Sequence, residues 1–389
     1  MEIVGAVLER TAAPRPYASS APLTVATLEL DPPGDGEILV RIEAAGVCHS
    51  DLSVVDGSRV RPTPMLLGHE AAGIIESLGD GVDDLSLGDR VVMTFLPRCE
   101  NCAGCATNGR LPCEVGSAAN GAGTLLGGKT RLSRDGEPIR HHLGVSAFAT
   151  HAVVNRASVV RVEHDIPPDV AALLGCAVLT GGGAVVNAAN PAPGDSIIVV
   201  GLGGVGMAAV LVAQALGHHV IGVDALENKL ASAREFGIAE TYTPQEVSDR
   251  HITAPIVIEA AGNPRAFETA VQATAPGGTT VTVGLPSPDA RSSISPLVLT
   301  AEARTIVGSY LGSSVPSRDI PQFASLWRQG KLPIEKLISG RIRLEDINSA
   351  MDALADGRAL RQIIIFDHGE SHGESHGKSH AKSTDARDS

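Results

Sequence analysis

A glycine-rich turn between a strand-like run and a helical segment constrains the fold of this chain more than any other feature. Residues 197–200 are all β-branched, as in a strand buried on both faces, and residues 207–216 form a helical stretch. A second strand follows over 219–223 and ends at Asp224. The turn itself holds Gly201, Gly203, Gly204, Val205 and Gly206. This order and spacing predict a dinucleotide-binding βαβ unit, which we favour over a plain structural turn.

The residues of this unit suit a pyrophosphate and a ribose. Glycines let the backbone approach the pyrophosphate, whose charge is stabilised by the N-terminus of the helix. The Asp224 carboxylate can accept hydrogen bonds from the adenosine ribose hydroxyls, and it would repel a 2'-phosphate. We therefore expect NAD as the cofactor in preference to NADP.

The other strand and helix signals place this unit in a larger α/β chain. Further parallel strands are predicted over 255–259 and 279–284, each ending in small residues. Short strand segments such as 38–42 and 90–93 are separated by turn residues and indicate a β-rich first domain. Helices are predicted over 320–329 and 344–356, and a final strand over 362–366 that can return to the first domain.

All six cysteines fall into two groups whose spacing suits zinc. The first group has the spacing C-x2-C-x2-C-x7-C, which can surround a structural zinc ion with the thiolates of Cys99, Cys102, Cys105 and Cys113. Disulfides are the weaker interpretation, because the chain begins without a signal-peptide pattern and is expected to be intracellular. An iron–sulfur cluster also takes four thiolates, but the ferredoxin run has a proline after its last cysteine, where this chain has Glu114.

The second group offers three ligands from distant parts of the chain. Cys48 and Cys176 flank the triplet Gly68, His69 and Glu70. Two thiolates and one imidazole leave the fourth zinc position open, which is the arrangement of a catalytic zinc. Taken alone, two distant cysteines and one histidine are more often core residues than ligands. The interpretation gains its strength from the family resemblance of the whole chain.

The amino-acid composition argues against some classes of binding partner. The net charge of −13, from 31 Lys and Arg against 44 Asp and Glu, argues against nucleic acid and anionic membranes as partners. No apolar run is expected to span a bilayer, because glycines interrupt the hydrophobic stretches. Hydrophobic residues make up 43% of the 389, which is ample for two well-packed domains.

These motifs together resemble the zinc-dependent medium-chain alcohol dehydrogenases, and the resemblance runs from about residue 3 to residue 366. The family signature GHE-x2-G-x5-G-x2-V stands here as the triplet at 68–70 followed by Gly73, Gly79 and Val82, and the cysteine quartet has the family's spacing. The resemblance implies an α/β fold with a GroES-like β-rich catalytic domain and a Rossmann doubly wound parallel sheet. A zinc-free quinone reductase of the same superfamily would lack these cysteines, and a regulatory role would not need the intact ligand set.

The resemblance also implies two zinc ions per chain, one catalytic and one structural. Cys48, His69 and Cys176 would hold the catalytic ion. Glu70 belongs to the same metal site, where it and Asp51 would support the ligands. The cysteine quartet would hold the structural ion.

The resemblance implies a proton path that starts at Ser50, two residues after Cys48. Its hydroxyl matches the family group that takes the alcohol proton. Many relatives end this path with a histidine, where the present chain has Ser53. His49 stands where relatives often carry an arginine facing the pyrophosphate. We therefore expect cofactor affinity to weaken as the pH rises and the imidazole loses its charge.

Four further residues are implied as cofactor contacts. Thr180 resembles the residue that packs behind the nicotinamide ring, and Lys229 resembles a second contact with adenosine. Arg361 resembles a pyrophosphate partner, and Val283 lies at the end of a strand that borders the cofactor.

The expected activity is the reversible, NAD-linked oxidation of primary or secondary alcohols to aldehydes or ketones. The alternatives are a thiol-dependent formaldehyde dehydrogenase and a nicotinoprotein that retains its cofactor. Glutathione-dependent relatives use a basic residue shortly after the last structural cysteine, and residues 114–117 of this chain include none. We therefore expect simple hydrophobic alcohols to be substrates without an added thiol.

The predicted organisation has three parts and a tail. Residues 1–178 form the catalytic domain, 179–310 the NAD-binding domain, and 311–366 return to the catalytic domain. Residues 367–389 form a disordered tail rich in His, Ser and Gly. The segment 114–152 resembles the extended loop of the long dimeric family members, so we expect a homodimer through the dinucleotide-binding domains, located in the cytoplasm.

Overall fold

The computed structural model describes residues 1–368 of the chain. Its strands, in chain order, are β1 (Glu2–Leu8), β2 (Leu23–Leu30), β3 (Glu37–Val47), β4 (Met65–Leu66), β5 (Ala71–Leu78), β6 (Arg90–Met93), β7 (Leu132–Arg134), β8 (Glu137–His141), β9 (His151–Asn155), β10 (Val159–Val162), β11 (Ser196–Val200), β12 (His219–Val223), β13 (Glu240–Tyr242), β14 (Ala254–Glu259), β15 (Thr274–Thr282), β16 (Thr305–Gly308), β17 (Ile338–Ile342) and β18 (Arg361–Ile365).

Most of the α-helices follow strands in the second half of the chain. In order, they are α1 (Tyr17–Ser20), α2 (His49–Val55), α3 (Glu114–Ala122), α4 (Pro168–Leu173), α5 (Leu179–Gly183), α6 (Gly204–Ala215), α7 (Glu227–Glu235), α8 (Pro244–Asp249), α9 (Pro264–Gln272), α10 (Pro296–Ala301), α11 (Pro316–Arg328) and α12 (Ile347–Ala355).

Two of the three sheets make up the β-rich domain. Strands β1, β2, β7, β8 and β4 close a small barrel, and a second sheet has the order β10-β6-β5-β3-β18-β17, with β9 also paired to β3. The last strand, β18, runs antiparallel to β3, with Gln362 opposite Val47. Ile363 and Ile364 of this strand are fully buried, so burial of apolar surface favours its return across the whole chain.

The third sheet is the predicted dinucleotide-binding sheet. Its order is β13-β12-β11-β14-β15-β16, and every neighbouring pair is parallel. Ile197, Ile198 and Val199 of the central strand β11 are completely buried, as the β-branched run predicted. The strand order reverses between β11 and β14, and ligands of such sheets bind in the crevice at this point. The predicted fold class, a GroES-like domain with a Rossmann sheet, is confirmed.

Element boundaries differ from the predicted ones by a few residues. Helix α6 begins at Gly204, three residues before the predicted start, because the last glycines of the turn already wind into its first turn. Helix α11 begins at Pro316, where proline at the first helical position needs no hydrogen-bond donor. The helix predicted over 344–356 is divided in the structure. A short 3-10 helix over Leu344–Asp346 precedes α12.

A long helical segment over Pro168–Ala189, here called the central helix, joins the two halves of the molecule. It comprises α4, a π turn at Leu174–Val178, α5 and a second π turn at Ala184–Ala189. By length and composition its 22 residues suffice to cross a membrane, so the expectation that no apolar run is long enough was wrong. The apolar window of this helix is 94% buried inside the protein, as in a core helix.

The predicted disordered tail lies almost entirely outside the described residues. Only its first two residues are described. Of these, His368 is half-buried, and its Nε2 lies 2.6 Å from the carbonyl oxygen of Ile42.

Candidate active site

The three residues of the second predicted zinc group meet at one point in the fold. Cys48 follows β3, His69 follows β4, and Cys176 lies in the first π turn of the central helix. Their ligand atoms lie within 4.8 Å of one another and all three residues are buried. Sγ of Cys176 lies 3.5 Å from Nε2 of His69. Two thiols and an imidazole at this spacing fit a zinc ion that keeps one coordination position open.

Asp51 fixes the orientation of the histidine in this group. Its Oδ1 lies 3.0 Å from Nδ1 of His69, which leaves Nε2 facing the two thiols. The same carboxylate accepts hydrogen bonds from the backbone N–H groups of Cys48 and Gly68. Burial alone would raise the pKa of Asp51, but His69 and His142 outweigh burial and hold this pKa well below its usual value. A charged carboxylate behind the imidazole is the usual support of a zinc-bound histidine.

The structure places Glu70 behind the zinc group and not among its clustered ligand atoms. Its Oε1 accepts a hydrogen bond from the backbone N–H of Ala177, and its Oε2 lies 3.3 Å from Nε of Arg361. Burial raises the pKa of Glu70 to about 7, although the guanidinium of Arg361 acts in the opposite direction. Glu70 therefore lies between Ala177 and Arg361, behind the three clustered ligand atoms.

The cysteine quartet lies in the loop between β6 and α3. The sulfur atoms of Cys99, Cys102, Cys105 and Cys113 lie within 4.8 Å of one another. Backbone N–H groups point at two of these sulfur atoms, from Cys105 to Cys102 at 3.4 Å and from Cys99 to Cys113 at 3.4 Å. The backbone N–H of Cys105 contributes most to lowering the pKa of Cys102 to about 6. Four thiol groups held in this way fit a closed, structural zinc site.

A cleft of about 1080 Å³ connects the zinc group to the Rossmann sheet. Cys48 and Cys176 line the cleft at one end, and Asp224 lines it at the carboxyl end of β12. The other predicted cofactor residues that line this cleft are His49, Thr180, Gly201, Gly203, Gly204, Val205, Lys229, Val283 and Arg361. Of the predicted cofactor residues, Gly206 is the one outside the lining.

Two positions of the glycine-rich turn, Gly201 and Gly206, have no room for a larger residue. Gly201 has a φ of +95°, and a Cβ atom there would lie 2.5 Å from the backbone nitrogen of Ala261. A Cβ atom on Gly206 would lie 1.8 Å from the carbonyl oxygen of Gly201. Gly206 therefore allows α6 to pack closely against the turn, which leaves the cleft side of the turn free for a pyrophosphate.

The carboxylate of Asp224 is held in place by the backbone. Oδ2 accepts a hydrogen bond from the N–H of Leu202 at 2.8 Å, and Oδ1 accepts one from the N–H of Leu226 at 3.0 Å. Nζ of Lys229 lies 3.8 Å from the same carboxylate. This arrangement fits a ribose with free hydroxyls, because a fixed negative charge faces the position of a 2'-phosphate.

The predicted proton path begins at the cleft. Ser50 lines the inner end of the cleft near Cys48. Ser53 also lines the cleft, but its hydroxyl donates to the backbone carbonyl of His49 at 2.8 Å. His49 borders the same cleft, and burial lowers its pKa and favours the neutral imidazole. Of the residues at the predicted end of the path, His49 is the titratable one.

A smaller pocket, here called the inner pocket, continues the cleft beside Ser50 and His69. Sequence reasoning did not identify its other residues, which are Arg59, Arg61, Phe95, His142, Leu143, Leu285 and Tyr310. The rings of Phe95 and Tyr310 meet edge to face at 5.6 Å, and Phe95 meets His69 in the same way at 5.7 Å. The inner pocket is therefore partly aromatic and lies against the zinc group, and its volume of about 20 Å³ admits a small polar group and not a whole substrate.

His142 lies beside His69 in this pocket. Its Nδ1 lies 3.2 Å from Oδ1 of Asp51, without the alignment of a good hydrogen bond, and its ring lies edge to face against His69. No local pattern marks this histidine, because it follows β8 in a loop that is far from residues 48–70 in sequence. The pairing of β4 with β8 brings the two regions together.

Family models match both halves of the chain. Residues 34–164 match the model described as alcohol dehydrogenase GroES-like domain, and residues 204–328 match the one described as zinc-binding dehydrogenase. Alcohol dehydrogenase 1 from Petunia hybrida is 31% identical over 366 residues, which cover 90% of this chain and 96% of that protein.

Two solved structures share the fold over nearly their whole length. An alcohol dehydrogenase zinc-binding domain protein from Burkholderia ambifaria superposes with a TM-score of 0.87 at 32% identity, covering 95% of this chain and 100% of the other. Benzyl alcohol dehydrogenase from Acinetobacter calcoaceticus superposes with a TM-score of 0.86 at 29% identity, covering 94% and 100%. With its two clusters of candidate zinc ligands and its glycine-rich turn on this fold, the chain belongs to the zinc-dependent medium-chain alcohol dehydrogenase family.

Proposed function

We propose that this protein catalyses the reversible NAD-linked oxidation of primary or secondary alcohols to aldehydes or ketones, with one catalytic and one structural zinc ion per chain. The observation that carries the proposal is the continuity of one cleft, which reaches from Cys48 and Cys176 to Asp224. The two ends of the cleft suit the two partners of a hydride transfer. A bound zinc ion would supply Lewis-acid polarisation of the substrate oxygen, and NAD would accept the hydride.

The residues at the inner end of the cleft would bind the metal and accept the proton of the alcohol. Cys48, His69 and Cys176 hold the metal, and Asp51 keeps the imidazole in the orientation that exposes Nε2 to it. Ser50 takes the proton of the alcohol at the inner end of the cleft. A proton that leaves Ser50 can pass to solvent through His49, which lines the same cleft.

The cofactor side of the cleft would bind NAD by charge and by shape. The open backbone at Gly203 and the buried guanidinium of Arg361, which lies against Gly204, suit the pyrophosphate, because Nη2 of Arg361 has no hydrogen-bond partner within residues 1–368. Asp224 and Lys229 suit the adenosine ribose. Thr180 and Val283 border the inner part of the cleft, where we place the nicotinamide ring.

The test is a panel of neutral alcohols with the purified full chain. Benzyl alcohol represents the primary alcohols, and a solved relative is named for it; cyclohexanol represents the secondary ones. We expect NADH absorbance to appear with NAD and no added thiol, and elemental analysis to give two zinc ions per chain. Activity with formaldehyde only when glutathione is present would overturn the neutral-alcohol assignment.

We also propose the organisation that the family resemblance implies. The divisions are a catalytic domain over 1–178 and 311–366 and an NAD-binding domain over 179–310. A homodimer through the Rossmann sheets is supported by the edge position of β16 and by the exposed Leu297 and Val298 beside it in α10. A cytoplasmic location is supported by six cysteines that are all free thiols. Light scattering at several concentrations would measure the mass of the assembly.

A further inference from the structure

Two arginines line the inner pocket beside Ser50. Arg59 and Arg61 follow α2 in the chain, and Arg59 also lines the adjoining cleft. The other walls carry the polar side chains of Ser50, His69 and His142 and the apolar or aromatic side chains of Phe95, Leu143, Leu285 and Tyr310. A pocket for a simple hydrophobic alcohol has no need of two guanidinium groups.

The charges of the two arginines have no counter-charge in residues 1–368. Neither guanidinium forms an ion pair with a carboxylate there, in contrast with most arginines of the chain. Nη1 of Arg61 donates one long hydrogen bond, 3.5 Å, to the carbonyl oxygen of Asn120, and its buried Nε has no partner. Burial, with a smaller contribution from Arg59, lowers the pKa of Arg61, whereas Tyr310 acts in the opposite direction. An anion that entered the pocket would balance the two guanidinium charges and could accept a hydrogen bond from the unpartnered Nε of Arg61.

The nearby acidic side chains are already engaged. The carboxylate of Asp51 is held by His69 and by two backbone N–H groups. Asp56, at the end of α2, accepts a hydrogen bond from the backbone N–H of Ser58 at 2.8 Å. Within residues 1–368, neither carboxylate forms an ion pair with Arg59 or Arg61.

Arg61 lies outside the lining of the cleft that holds the place proposed for the cofactor pyrophosphate, whereas Arg59 lines both the cleft and the inner pocket. That place is formed by the glycine-rich turn and Arg361, and no residue of the inner pocket comes from the turn. The inner pocket instead borders Ser50 and His69, where the substrate would react. An anion held there belongs to the substrate.

We propose that the substrate is an alcohol that carries a carboxylate, which Arg59 and Arg61 bind where the inner pocket joins the cleft. The spacer between carboxylate and hydroxyl lies in the larger cleft, against Phe95, Leu285 and Tyr310, which line both spaces. This inference rests on the proposed function and names the substrate class of the same site. Guanidinium groups suit a carboxylate because they form charge-assisted, often bidentate, hydrogen bonds. The carboxylate takes no part in the oxidation, in which the alcohol loses two electrons and two protons, and NAD⁺ gains a hydride while one proton goes to solvent.

Two sources of such a carboxylate share this chemistry. One is a hydroxy acid that binds as such, and the other is the adduct of formaldehyde with glutathione, whose carboxylates would reach the same arginines. Sequence reasoning discounted the second source because no basic residue follows Cys113 closely. The arginine pair supplies that charge from a different segment of the chain.

The experiment compares two alcohols of similar shape, 4-(hydroxymethyl)benzoate and 4-methylbenzyl alcohol, with the zinc-loaded full chain and NAD. We expect the unmodified protein to prefer the carboxylate substrate in kcat/KM. Arg59→Gln and Arg61→Gln should each reduce this preference roughly 10- to 100-fold, mainly through KM, because each removes a charge-assisted hydrogen bond. Arg61→Lys should keep part of the preference, since it keeps the charge.

Arg10→Gln is the matched control, because Arg10 is exposed and far from the site in sequence. Its substrate preference should equal that of the unmodified protein. Melting temperatures distinguish a loss of substrate binding from a loss of folding. We expect Arg61→Gln to melt no lower than the unmodified protein, because Arg61 has no ion pair to lose in the described part of the chain. A parallel assay with formaldehyde, with and without glutathione, identifies the thiol adduct as the source if turnover needs glutathione and falls in both arginine variants.

The outcomes separate the two proposals. Oxidation of both alcohols with equal kcat/KM, or a preference that survives Arg59→Gln and Arg61→Gln, overturns the carboxylate inference and leaves the proposed function standing. No NADH formation with any alcohol or with the thiol adduct overturns the proposed function, and the carboxylate inference is rejected with it.

Discussion

His141 gives a stability prediction whose size follows from one buried imidazole. The residue ends β8 and is 1% exposed. Its Nε2 accepts a hydrogen bond from the backbone N–H of Arg131 at 3.1 Å, so that nitrogen must stay unprotonated. Burial, assisted by the charge of Arg131, lowers the pKa of His141 from 6.5 to about 3. The imidazole of His141 therefore takes up a proton far less readily in the native protein than in the unfolded chain.

The sign and the size of the effect follow from proton linkage. Above pH 6.5 the imidazole is neutral in both states, and no stability is lost through it. Below that pH the unfolded state takes up the proton first, so the native state loses stability until the pH reaches about 3. At pH 5 the loss is about 2 kcal/mol, from roughly 1.5 pH units at about 1.36 kcal/mol each.

The measurement is the urea-induced unfolding of the unmodified protein and of His141→Gln at pH 7.5 and pH 5. Glutamine keeps an acceptor for the N–H of Arg131 and does not titrate, and both proteins share every other titrating group. The unmodified protein should lose about 2 kcal/mol more than His141→Gln over this interval. His164→Gln, at an exposed position, is the control and should behave as the unmodified protein. The reasoning is refuted by equal pH dependence of the unmodified protein and His141→Gln.

Three further predictions concern the zinc sites, the cofactor and the proton path. Cys176→Ser should abolish turnover while the fold persists, whereas Cys105→Ser should first lower the melting temperature; zinc analysis and thermal unfolding of both variants check this, and fewer than two zinc ions in the fully active unmodified chain contradicts it. Asp224→Ser should weaken NAD binding and improve the relative use of NADP, because the carboxylate no longer repels a 2'-phosphate; kcat/KM with both cofactors checks this, and an unmodified enzyme that prefers NADP contradicts it. Ser50→Ala should slow single-turnover hydride transfer roughly 100-fold or more and affect NAD binding far less, and Ser53→Ala should show a much smaller loss; an unchanged rate in Ser50→Ala is the opposing result.

Much of the fold could be predicted because its signals are local. The β-branched run at 197–200 and the glycines after it specify a buried strand and a close turn within ten residues of sequence. The spacing of the cysteine quartet is equally local, since all four lie between β6 and α3. Helix starts were less accurate at Gly204 and Pro316, where the helix begins without a side-chain cap that the sequence could signal.

The substrate side of the site could not be predicted, because long-range pairing assembles it. Tyr310 and Phe95 are separated by more than half the chain and meet only through the packing of the two domains. His142 reaches Asp51 only because β8 pairs with β4. Arg59 and Arg61 lie in a loop without periodicity, where a solvated arginine is the default expectation. That neither meets a counter-charge among residues 1–368 becomes visible only when the side chains around them are known.

The central helix has a consequence for how the enzyme can move. Cys176, from the zinc group, and Thr180, from the cofactor side of the cleft, are four residues apart on this one element and line the same cleft. Their separation along the axis is about 6 Å, at about 1.5 Å per residue. Rotation of one domain against the other can widen the outer cleft without changing this interval. A single inserted residue between them would turn the side chain of Thr180 by about 100° around the helix axis. The distance between Cys176 and Thr180 is therefore set by the number of helical residues between them.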